Sequence, residues 1–83
     1  MTKWFVYMVS CSDNSIYTGI TTNVSRRMNQ HNNKKGAKAL YGKLPVRLVF
    51  TEEQIDKTKA AKRENEIQSW SHEKKVVFIE KAG

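Results

Sequence analysis

The chain contains one proline, one cysteine and four glycines in 83 residues. Cys11 on its own can form no internal disulfide and no cysteine pair for a zinc centre, and the expected home is a reducing cytoplasm. The apolar run Trp4–Val9 is far too short to span a membrane or to form a signal-peptide core, so no membrane partner is expected. Low-complexity tracts, internal repeats, heptads and a glycine-rich phosphate loop are all missing. Acid is scarce in a particular place. Between Asp13 and Glu52 there is no Asp or Glu, yet the interval holds Arg26, Arg27, Lys34, Lys35, Lys38, Lys43 and Arg47. The other eight basic residues are matched by eight acids, so the whole net charge of +7 lies in one segment. Such a one-sided distribution is the electrostatic footprint expected for a polyanion, and it makes nucleic acid the expected partner.

The length allows one domain, residues 1–83, with a single modest core. Residues 3–9 are aromatic and β-branched without helical periodicity and read as a strand buried on both faces. Ser10–Ser15 is a turn signal, and Ile16–Ile20 reads as the returning strand of a hairpin. Thr22 or Asn23 can cap a helix over about 24–32, on which Val24, Arg27, Met28 and His31 share one face while Arg26 points elsewhere. Residues 33–45 read as a mobile basic loop ending at Pro45. A third strand is expected from Val46 toward Glu52, then a helix over about 57–70 with Ala60, Ala61, Glu64 and Ile67 on one stripe. Ser71 can cap a short last helix. The order ββαβαα implies an α+β fold, a three-stranded and largely antiparallel sheet packed with helices.

Two strings, Phe5-Val6-Tyr7 and Tyr17-Thr18-Gly19, flank the hairpin turn, and Arg27 lies ten residues beyond Tyr17. Phenols in strands usually belong to a core, but a guanidinium on an apolar stripe is costly to bury without an acid or an anionic ligand. The segment around Arg27 offers no acid. Glu64 poses the mirror problem: a carboxylate on an inward stripe must pair with Arg27 or bind a cation. Two phenols, a guanidinium and a carboxylate together suit a site that handles a phosphate.

These residues carry a resemblance. The chain resembles the GIY-YIG nuclease domain, most of all its small stand-alone bacterial YhbQ-like group. Phe5-Val6-Tyr7 stands for the first signature string and Tyr17-Thr18-Gly19 for the second; Arg27, His31 and Glu64 follow at the matching positions. Phe5 stands where the family has glycine and Thr18 where it has isoleucine, and no asparagine follows Asn65. The resemblance implies the GIY-YIG endonuclease fold and metal-dependent hydrolysis of nucleic-acid phosphodiester bonds. That activity would be structure-directed DNA cleavage in repair or processing, with one Mg²⁺ or Mn²⁺ ion on Glu64. The implied catalytic set is Tyr7, Tyr17, Arg27, His31 and Glu64, either tyrosine serving as the base. Arg26, Lys34, Lys35, Lys38 and Lys43 are expected to hold flanking phosphates, with no obligate protein partner. A catalytically idle nucleic-acid-binding module and a protein adaptor are the competing readings.

Overall fold

The structure, a computed structural model, describes residues 2–82. Strands β1 (Trp4–Ser10), β2 (Ile16–Thr21) and β3 (Arg47–Gln54) form one sheet in the order β2-β1-β3. Both pairings are antiparallel, as expected. Helices α1 (Val24–Asn32), α2 (Lys57–Gln68) and α3 (His72–Ala82) complete the order ββαβαα. The last helix runs for 11 residues, longer than the sequence suggests.

Both faces of the central strand are covered, which explains why Val6 through Val9 are all buried and why β1 lacks an alternating pattern. Val6 and Met8 pack with Ala60 of α2, Ile67 of α2 and the half-buried Trp70 and Phe78. Tyr7 and Val9 face the other way, toward Cys11, Leu40, Val46 and Met28 of α1. On the first face Arg63 acts as a fastener. It donates to Glu52 of β3 at 2.9 Å and to Glu66 at 2.8 Å, and its guanidinium lies over Trp70 and Phe78.

The loop after α1 is not the loose segment its composition suggests. It contains a 3-10 turn, Lys38–Leu40, whose Leu40 is only 2 % exposed and sits in the Tyr7 cluster. Its far end is clamped by Asn32, which accepts from Val46 N–H at 2.8 Å and donates to Val46 C=O at 3.3 Å. Ser12 N–H also donates to Lys43 C=O at 2.9 Å. One buried leucine and one asparagine thus convert a basic loop into a fixed wall of the second core. Removing the clamp leaves a backbone amide of a buried residue without a partner. Asn32→Ala should therefore lower stability by about 1–3 kcal/mol, read as a reduced urea midpoint at unchanged slope.

Candidate functional site

The hairpin register places the two tyrosines. Tyr7 lies opposite Gly19 and Val9 opposite Tyr17, so Tyr7 and Tyr17 are diagonal neighbours on one face. Their ring centroids are 6.4 Å apart. Gly19 is required by this arrangement: a Cβ there would come within 2.5 Å of Tyr7 Oη. Tyr7 crosses its own hairpin partner, and only a residue without a side chain leaves room.

Helix α1 supplies the next two groups. Asn23 caps it, accepting from Arg26 N–H at 2.9 Å. Its inner stripe carries Arg27 and His31, whereas Arg26 is exposed, as the helical periodicity implies. His31 is 1 % exposed, and its Nε2 lies 2.8 Å from Tyr7 Oη. Its Nδ1 accepts from Ala37 N–H at 3.4 Å. A backbone amide can only donate, so in the neutral ring Nε2 carries the hydrogen and donates to Tyr7 Oη. Gly36 makes this possible, because a Cβ there would collide with the His31 ring. Tyr17 closes a triangle of rings, edge-on to His31 at 5.8 Å.

Arg27 Nη1 donates to Gln30 Oε1 at 3.2 Å, its guanidinium also reaches the Tyr7 hydroxyl, and its buried Nε has no partner. Among the described residues neither Arg27 nor Glu64 forms an ion pair. Glu64 belongs to α2, on the other face of the sheet, yet its charge reaches both phenols. The site therefore holds a cation and an anion that are not spent on each other.

The titration behaviour follows from burial. Tyr7 is pushed above 10.0 by desolvation, against the pull of the Arg27 guanidinium; Tyr17 is raised for the same reason, again opposed by Arg27 and reinforced by Glu64. His31 is held below 6.5 by burial and then by Arg27. Glu64 is raised above 4.5 by burial. At neutral pH both tyrosines are phenols and His31 is neutral.

Among the described residues no three His, Cys, Asp or Glu groups cluster as a metal site, and Glu64 stands outside any such group. A single unpaired carboxylate fits Mg²⁺ or Mn²⁺, hard cations that readily complete their shells with water and substrate phosphate oxygens. It does not fit a structural zinc.

Of the basic residues expected to hold phosphates, Arg26, Lys34, Lys35 and Lys38 are exposed. Lys43 is half-buried and pairs with Asp13 at 3.7 Å, so it also ties the loop to the hairpin turn. Sequence reasoning missed Gly36, Ala37 and Gln30. Only Gly36, four residues beyond the end of α1, gave any signal, as a loop glycine.

The GIY-YIG catalytic domain model matches residues 3–76. A UPF0213 protein of Staphylococcus haemolyticus is 48 % identical over 80 residues, covering 96 % of this chain and 98 % of that one. The UPF0213 protein YhbQ of Escherichia coli is 44 % identical, covering 100 % and 84 %. The solution NMR structure of a UPF0213 protein from Bacillus halodurans superposes with a TM-score of 0.60 at 40 % identity, over 94 % of this chain and 83 % of that one.

A carboxylate whose folded pKa is raised costs stability wherever it is ionised in the fold, and costs nothing below its unfolded value. Glu64→Gln should thus raise the melting temperature at pH 7, with the gain vanishing as pH falls below 4.5. His31 acts in the opposite sense. Its depressed pKa gives stability that is complete above 6.5 and declines as pH falls below that value.

Proposed function

The chain belongs to the GIY-YIG catalytic domain family, and from its nuclease-type fold we propose a metal-dependent endonuclease. It hydrolyses phosphodiester bonds of DNA, in repair or processing, and recognises structure rather than sequence. The observation that carries this reading is Arg27, a half-buried guanidinium with an unpartnered Nε, whose charge acts on both phenols, as does that of the unpaired Glu64. Leaving such a charge unneutralised is unfavourable, and a phosphate is the ligand that resolves it.

Arg27 grips the non-bridging oxygens of the scissile phosphate and favours the state in which their charge grows. Glu64 holds the divalent ion, which when bound neutralises charge on the phosphate and on the leaving oxygen. Tyr17 is half-buried, more open than Tyr7, and we assign it to activating the attacking water. Tyr7 is 1 % exposed and receives the His31 hydrogen; it positions water or phosphate with its own hydroxyl hydrogen. His31 fixes Tyr7. Arg26, Lys34, Lys35 and Lys38 hold flanking phosphates, contacts that set register and carry no sequence information.

A phenolate at pH 7 costs about 4 kcal/mol for a phenol of pKa 10, and burial makes it costlier here. Binding of phosphate and cation beside Arg27 must recover part of that difference.

Two outcomes test the proposal. Nicking of branched and single-stranded DNA should require Mg²⁺ or Mn²⁺. It should fall by roughly 10²–10³-fold in Arg27→Ala and by 10²-fold or more in Tyr17→Phe, and be abolished in Glu64→Ala. Wild-type cutting by all three variants would remove the site assignment. Metal-independent, salt-sensitive binding without any cutting would instead establish an idle nucleic-acid-binding module. In the active enzyme kcat/KM should climb about tenfold per pH unit below the phenol pKa, and Tyr17→Phe should flatten that slope.

A further inference from the structure

The chain has eight aromatic residues, three Phe, two Trp and three Tyr. Seven are buried or half-buried; Tyr41 alone is exposed, at 41 %. It stands in the middle of the acid-free basic segment, with exposed Lys34, Lys35 and Lys38 before it. Nor is its backbone loose. Tyr41 N–H donates to Lys38 C=O at 3.1 Å, Lys43 N–H to Leu40 C=O at 2.9 Å, and Leu40 immediately before it is anchored in the core that contains Tyr7. The residue after it, Gly42, is exposed, with nothing within 4 Å of where a Cβ would sit.

An exposed aromatic on a hydrogen-bonded backbone, within a segment rich in exposed lysines, has the properties of a base-stacking platform. Cations track the phosphates of a strand, and the ring offers its face to a base that has no pairing partner. A fully paired duplex hides the faces of its bases in the stack and has little use for such a ring. The loop is also the one whose Gly36 and Ala37 pack on and bond to His31, so a strand lying along it runs toward the phosphate site.

We propose that Tyr41 stacks on an unpaired base of the bound strand, giving this protein a preference for single-stranded or locally unpaired nucleic acid next to the cleaved phosphate. This rests on the nuclease reading above and names the substrate feature that site takes.

The test uses the full chain in EDTA, where no cleavage occurs, and measures anisotropy of labelled oligothymidylate and of an abasic oligonucleotide of equal length. Tyr41→Ala should weaken oligothymidylate binding roughly 5- to 100-fold, the range for losing one stacked base, and leave abasic binding unchanged. Tyr41→Phe and Tyr41→Trp should keep the wild-type preference, since both retain a stacking face. Unaltered melting of all three variants is expected because Leu40, not Tyr41, anchors the loop. Equal loss on both oligonucleotides, or no loss on either, overturns the platform while leaving the nuclease reading intact. Failure of the wild-type chain to bind either oligonucleotide overturns both.

Discussion

The contact on which the rest of the structure depends is the 2.8 Å hydrogen bond between His31 Nε2 and Tyr7 Oη. It joins the central strand to α1, and through Nδ1 it extends to the backbone of the basic loop. Both ends are almost fully buried, so leaving either group unmatched would cost more than the bond itself contributes. Three pieces of chain must therefore settle into place together. Gly19 lets Tyr7 lie over the hairpin, and Gly36 lets the loop close over the imidazole. Neither glycine adopts a positive φ; each is needed for clearance alone.

Around that neutral pair the protein keeps two charges apart. The contrast between its two inward arginines is instructive. Arg63 is saturated: Glu52 and Glu66 accept from it, and two aromatic rings face its guanidinium, so it fastens α2 to β3 and does nothing else. Arg27, in the same fold, meets neutral groups, Gln30 and the Tyr7 hydroxyl, and no carboxylate among the described residues. Glu64 is likewise unpaired among the described residues, and its ionised form is penalised by burial. A fold selected for stability alone would have neutralised both charges. Retaining them costs stability, as unmatched charges at functional sites commonly do.

Much of this was legible from residue order. The apolar β1, the turn at Ser10–Ser15 and the caps lead directly to ββαβαα. The face shared by Arg27 and His31, and the exclusion of Arg26 from it, follow from helical periodicity and hold in three dimensions. What could not be read depends on pairs distant in sequence. Leu40 is a lone leucine in a polar loop, with no periodic partners to announce that it is buried. Asn32 and Val46 are 14 positions apart and signal nothing until the loop closes. The length of α3 was hidden because Val76, Val77, Phe78 and Ile79 form one apolar block without a clear stripe.

The basic loop has two roles that local composition cannot separate. Lys34, which follows α1, has φ of 61°, the left-handed conformation that favours glycine. Its N–H donates to His31 C=O at 3.1 Å, while Lys35 N–H donates to Gln30 C=O at 2.7 Å, closing the end of the helix. A non-glycine residue in that conformation costs about 1–2 kcal/mol, so the chain keeps a positive charge where a glycine would be easier. Two residues later the same backbone reaches Gly36 and Ala37, which fix the His31 tautomer. The surface suited to phosphates and the hydrogen bond that orients Tyr7 are thus set by a single short stretch. A change in how the loop seats on α1 therefore reaches Tyr7 as directly as a substitution beside it.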